Sequence, residues 1–431
     1  MPKINIIPLR SSIGAADRQL DQEQADYLGE LNAALGVSFS VNEDADIHFF
    51  FIETGGTEEA FLRCYNKYSP PYYLLTTKRR NSLPAALEIG AYLGNQKLAY
   101  HILHGSLDQV ASVMRGFIQK RIENSTPSIK PSSPLAKTEI ENRDSALDEK
   151  KNIESANPTF RLGVIGRPSD WLIASQLDRQ YAKEKMQIAI IDSDYAEFTA
   201  EIDKKSYDSS EKIRHIQKKL VNNEYLEGAL HIYGAIKRLI LTHDLHGFSI
   251  RCFDLLGSYR NTACLALALL NEEGISAGCE GDLPLLLGMH LVRRMLDLDS
   301  FQANPSSADA LEKTITFAHC TIPLSMCQKH VFMTHFESGL GVGIRGEMKL
   351  GPCTIFRLSG NLRKALIEEG QIIANLTRDD LCRTQIVIRM EEGLEKILSN
   401  PLGNHHLIIY GHHKANLSKS LSIIDKSLEL V

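Results

Sequence analysis

Over the first 123 residues the chain alternates short apolar runs with stretches of helical spacing. The runs at 4–8, Ile47–Ile52, Tyr72–Thr76 and 98–102 read as strands. Segments 19–35, 57–65, 84–93 and 110–122 carry the three-to-four-residue period of helices. This alternation predicts a parallel, doubly wound sheet. A second unit repeats the plan, with strands at 161–166, 186–192, 248–253 and 276–281. Its helices are expected at 171–181, 211–221, 225–243, 261–271 and Leu283–Leu296. Beyond residue 314 the pattern turns β-rich, with strands at 314–320, 331–336, 341–348, 353–358, 384–390 and 407–410. Glycine turns between several of them suggest a barrel or sandwich. An amphipathic helix is expected at 417–430.

Between the two α/β units, residues 124–158 hold four prolines, no aromatics and eight apolar side chains. Such a segment buries too little apolar surface to offset its conformational entropy. It reads as a flexible linker or surface insertion. The expected division is 1–123, 124–158, 159–312 and a β-rich domain at 313–431.

Composition narrows the function classes. With 53 acids against 48 bases the net charge is -5, which argues against a broad nucleic-acid surface. No apolar run approaches a membrane span, and residues 1–10 lack a secretion-signal pattern, so a cytoplasmic location is expected. The eight cysteines, at 64, 252, 264, 279, 320, 327, 353 and 382, form no Cys-x-x-Cys pair. They read mainly as buried packing residues.

Most tempting motifs lack their context. Gly341, Gly343 and Gly346 spell a dinucleotide fingerprint, but another strand follows where a helix is required. The pairs His101/His104 and His243/His246 have no carboxylate to complete a zinc site. The turn Thr54-Gly55-Gly56-Thr57-Glu58 reads as a capped strand-to-helix turn. More informative is Glu280, flanked by Gly278 and Gly281 at the carboxyl end of a predicted parallel strand, where such sheets bind ligands. His319 closes one apolar strand, and Asn404, His405 and His406 open another. One Glu and two separated histidines compose an oxygen/nitrogen site suited to Mn²⁺ or a similar divalent ion. From spacing alone, ordinary capping and core roles explain the same residues better, because long gaps along the chain do not show proximity.

Five strings resemble the L-fucose isomerase-like sugar isomerases, more distantly related to L-arabinose isomerase. They are 166–175, which contains Trp171; 277–284, around Glu280; 317–323, around His319 and Cys320; 335–339, with His335 and Glu337; and 401–406. The resemblance implies two Rossmann-like α/β units followed by a β-rich C-terminal domain. It also implies a homo-oligomer, trimer-based or hexameric, that interconverts an aldose and a ketose with Mn²⁺. It places a metal-binding, proton-handling acid at Glu280 and metal histidines at His319 and His405, with His406 adjacent. Trp171 and Asn304 fall where substrate contacts are expected. In one departure, Asn304 stands where the family's second carboxylate is expected, and Asp309 could replace it only if a loop bent back. A metal-dependent isomerase working through an enediol-like intermediate is therefore the leading expectation. The alternative is a sugar-binding or regulatory paralogue without catalysis.

Overall fold

The computed structural model describes residues 3–11, 18–41, 45–125 and 160–431. Residues 126–158 of the expected linker lie outside the described residues, while Asn124 and Ser125 end the helix Leu107–Ser125.

Strand Ile47–Ile52 is apolar at nearly every position because both of its faces are covered, as parallel sheets require. It lies at the centre of a five-stranded parallel sheet. The strands are β1 (Ile4–Leu9), β2 (Phe39–Val41), β3 (Ile47–Ile52), β4 (Tyr72–Thr76) and β5 (Tyr100–Leu103), in the order β2-β1-β3-β4-β5. A second parallel sheet holds β6 (Phe160–Ile165), β7 (Ile188–Ser193), β8 (Gly247–Ile250) and β9 (Ser276–Cys279), in the order β7-β6-β8-β9. In both sheets the chain reverses direction of growth beside the first strand, which opens a crevice beyond the carboxyl ends.

The β-rich part closes into a six-stranded antiparallel barrel. Its strands are β10 (Phe301–Asp309), β11 (Thr314–His319), β14 (Gly351–Leu358), β15 (Lys364–Asn375), β16 (Thr384–Arg389) and β17 (His406–Tyr410). They follow the order β14-β17-β10-β11-β16-β15, and β15 pairs back onto β14. The hairpin β12 (Cys327–Met333) and β13 (Gly343–Met348) lies against it, and the short β18 (Glu429–Leu430) extends β15. Phe301, Phe317, Ile355, Ile386 and Ile408 belong to one buried cluster in the barrel.

Four sequence expectations need correction. No helix covers 171–181; the helix starts only at Arg179, capped by Asp178. The backbone N–H groups of Ala174 and Ser175 instead donate to the Glu88 carboxylate at 2.8 and 3.0 Å, which takes them out of helical bonding. Phe301–Asp309 is a barrel strand rather than a loop, so the barrel begins before residue 313. It escapes a hydrophobic pattern because Gln302, Asn304, Ser306 and Ser307 are all buried polar residues. The longest strand, β15, was likewise hidden by Glu368 and Glu369 in its middle; Glu368 is buried and pairs with Lys396 and Lys414, each at 2.8 Å. The terminal helix is also shorter than expected, spanning Lys414–Ile424. Among the described residues no helix is long and apolar enough to cross a membrane.

Candidate metal centre

The chain positions Glu280 by a strained turn. β9 ends at Cys279, Glu280 adopts φ 64° and Gly281 φ 73° before the helix Leu283–Leu296 begins. A left-handed glutamate is uncommon and costs free energy that the surrounding structure must offset. At Gly281 a Cβ would stand 2.6 Å from Pro168 Cα, so only glycine lets the 166–178 loop approach. Asp282 caps the helix, its Oδ1 accepting from Leu285 N at 3.0 Å.

Loops from the carboxyl ends of both parallel sheets meet the barrel at this point. Trp171 comes from the loop after β6, Cys252 and Phe253 from the end of β8, and Asn81 from the loop after β4. From the barrel side come Asn304 on β10, His319 at the end of β11, and His405 just before β17. Glu280, His319 and His405 are all buried, and one ligand atom from each lies within 4.8 Å of the others. Glu280 Oε1 is 3.4 Å from His405 Nε2 and 3.8 Å from His319 Nε2. The indole N–H of Trp171 donates to Glu280 Oε2 at 2.5 Å, and its ring meets Phe253 edge-on.

A second set of residues holds the triad. His405 Nδ1 lies 3.0 Å from Asp282 Oδ2, which fixes the ring and turns Nε2 toward Glu280. Arg357, fully buried, reaches Asp282 at 3.2 Å, the His405 carbonyl, and Ser175 Oγ at 2.6 Å. His319 Nδ1 is 2.9 Å from Thr321 Oγ1, leaving Nε2 for the site.

The charges follow from this arrangement. Burial alone would raise the Glu280 carboxyl, but the His405 and His319 rings hold it well below the usual carboxylate range. Burial would lower His405, yet Glu280 and Asp282 lift it to about 9. The site thus has an ionised carboxylate and one imidazolium. A divalent cation would displace that ring proton and take its charge role. The fit to such a cation rests on His405 Nε2, a buried nitrogen with no hydrogen-bond partner, beside a carboxylate and a second imidazole. His406, by contrast, is pushed down to about 3 by burial and Arg357, and its Nδ1 lies 3.0 Å from the Asn404 carbonyl. It packs edge-on against Phe317, away from the triad.

The adjoining cavity is lined by Asn81, Phe253, Glu280, Asn304, His335 and Glu337, among others. Asn304 is buried beside it with an unpartnered Oδ1. Asp309 cannot stand in for a second acid there: five residues further along an extended strand is roughly 16 Å, and it pairs with Lys78 at 3.0 Å. Cys252, Cys264, Cys279, Cys320 and Cys382 also line the cavity, and the sulfurs of Cys252 and Cys279 lie 3.2 Å apart. All eight cysteines are free. Residue-level reading had left Asn81, His335 and Glu337 without a role; the string around His335 carried the available signal. The turn 54–58 does lead from β3 into a helix, Glu58–Leu62, but Thr57 gives no side-chain cap, and Glu58 in the first turn is buried.

No family model matches the chain. It is similar to a sulfoquinovose isomerase of Clostridium sp. (strain MSTE9), 26% identical over 207 residues. The match covers 43% of this chain and 44% of that relative's length.

Proposed function

We propose that the chain is a divalent-metal-dependent aldose–ketose isomerase acting on an open-chain sugar through an enediol-like intermediate. The observation that carries this reading is the meeting of Glu280, His319 and His405, from two separate parts of the fold, within 4.8 Å. The similarity to a protein named for sugar isomerisation supports the same class. In this reading those three residues hold Mn²⁺ or another divalent ion, which supplies Lewis-acid polarisation of neighbouring sugar oxygens. Glu280 takes the C2 proton and returns it to C1. Trp171 keeps Glu280 Oε2 oriented and presents its ring to the sugar, and Asn304 offers its free amide oxygen to a hydroxyl. The same reading takes the two α/β parts as Rossmann-like doubly wound units at 1–123 and 159 onward, with the barrel as the C-terminal domain. It also takes the protein to be a cytoplasmic homo-oligomer, trimer-based.

A second reading, a sugar-binding paralogue without catalysis, is favoured by one observation: Asn304 occupies the place of an expected acid and cannot serve as a base. Hydrogen exchange separates the two. With Mn²⁺ present, the isomerase reading expects solvent deuterium at C2 of a cognate aldose, tested first on sulfoquinovose and then on hexoses and 6-deoxyhexoses. Glu280→Gln should abolish that exchange, because an amide does not accept the proton. Sugar-dependent thermal stabilisation without exchange on any aldose would select the binding paralogue.

A further inference from the structure

Besides Glu280, the cavity has one carboxylate among its lining residues, Glu337. It sits in the turn after β12, where His335 N donates to the Leu340 carbonyl at 2.8 Å and Gly339 N to the His335 carbonyl at 3.0 Å. Glu337 is the exposed member of the lining, which puts it at the cavity mouth. Its Oε1 accepts from Asn81 Nδ2 at 3.3 Å, and Asn81 Oδ1 accepts from Ser306 Oγ at 3.4 Å. Asn81 holds this bridge from a left-handed backbone, φ 57°. Surrounding protein raises the Glu337 carboxyl above its ordinary value; His335 opposes this and the Glu280 charge adds to it.

Aldose–ketose conversion moves two protons, one between carbons and one between oxygens. A single carboxylate at the C–H bond leaves the oxygen proton unserved, and the amide of Asn304 cannot carry it. The buried acids nearby do not serve it: Asp282 is held by Arg357 and His405, Glu88 by four donors, and Glu58 is not among the residues that line the cavity. We infer that Glu337 is the second proton-handling carboxylate, moving the hydroxyl proton between O2 and O1 across the cavity from Glu280. The inference rests on the isomerase reading above. Glu280 first takes the proton from C2, leaving an enediolate, and the Glu337 carboxyl then gives its proton to O1 to form the enediol. The Glu337 carboxylate then takes the proton from O2 while Glu280 returns its proton to C1. Both acids end as they began, and no co-reactant is consumed.

The test compares two rates in the Mn²⁺-loaded protein with the same aldose: deuterium exchange at C2 and net ketose formation. Exchange needs only the C–H proton to leave, whereas conversion needs the oxygen proton to move as well. In Glu337→Gln the ratio of exchange to conversion should rise by about a hundredfold, the usual scale of one acid–base group. Glu337→Asp, which keeps a carboxyl on a shorter arm, should regain part of the conversion. A Gln variant that folds and keeps the wild-type ratio, whether both rates fall or neither does, overturns the assignment. If Glu337→Gln does not fold, Glu337→Asp decides alone: a raised ratio supports the inference and a wild-type ratio overturns it. Neither rate in the wild type would overturn the isomerase reading, and this inference with it.

Discussion

The Glu88 carboxylate accepts the backbone N–H of Asn404 at 2.7 Å, across 316 positions of sequence. The same side chain accepts from Ala174 N, Ser175 N and Ser175 Oγ, and is fully buried. One carboxylate on the helix Ser82–Asn95 of the first α/β unit thus fastens the Trp171 loop of the second unit and the residue preceding His405.

Removing it should loosen the fold and the site together. Glu88→Ala strands four buried donors, each worth about 1–3 kcal/mol when unpaired, so unfolding free energy should drop by more than about 3 kcal/mol. Glu88→Gln should also lose stability, because its NH₂ must face a donor. Urea unfolding measures both, and Mn²⁺ titration of the Gln variant should show weaker binding.

Gly403→Ala tests the guanidinium at the centre of the network. Gly403 has φ 139°, and an added Cβ would collide with the Arg357 guanidinium. Arg357 joins Asp282, the His405 carbonyl and Ser175, so its displacement should cost about 2–4 kcal/mol. A melting curve equal to wild type would show that the guanidinium moves freely, against this account.

His104 sets an acid limit on stability. Its Nε2 accepts from Ala308 N at 3.0 Å and its Nδ1 faces Thr76 Oγ1 at 2.7 Å, joining β5 to the barrel strand β10. Protonation would leave Ala308 N without its acceptor, and burial first, then Lys78, lowers the ring to about 3. The folded state therefore binds its proton later than the unfolded chain, near 6.5. Stability from this group is full above pH ~6.5 and is lost as pH falls toward about 3, by up to about 1.4 kcal/mol per pH unit. In His104→Gln this part of the acid slope should vanish from denaturant midpoints measured between pH 4 and 7.

Trp171 is the protein's single tryptophan and touches Glu280. Mn²⁺ binding should therefore change its emission. Trp171→Phe should remove the signal while calorimetry still detects the ion, with affinity lowered as Glu280 Oε2 loses its donor. Emission unaltered at saturating Mn²⁺ would place the ion elsewhere.

Sequence pattern located the parallel strands well. Ile47–Ile52 and Tyr72–Thr76 fall where their apolar runs predict, because strands covered on both faces must be apolar throughout. The same logic missed β10 and β15, whose buried polar side chains are satisfied by residues distant in sequence. Glu280, His319 and His405 were singled out by strand-end placement and family resemblance, and they do lie together. Glu88, Asp282 and Arg357 carried no local sign of their importance, since a buried carboxylate is recognisable only when its donors are known. Asn81 was invisible for the same reason: its neighbours Glu337 and Ser306 stand more than two hundred residues away.

That distance along the chain has a consequence for biogenesis. Asp282 leaves the ribosome 123 residues ahead of His405, the ring it must hold. Until residue 405 is synthesised, Glu280 has only the His319 ring to face and Asp282 only the Arg357 guanidinium, so the two carboxylates lack the imidazole they share. The nascent second α/β unit must keep this edge hydrated while its own sheet forms. Insertion of β17 between β10 and β14 then delivers His405 and dries the pocket in one event. Barrel closure thus completes the site in one step, and a chain released before residue 405 would carry a solvated half-site without the His405 ring.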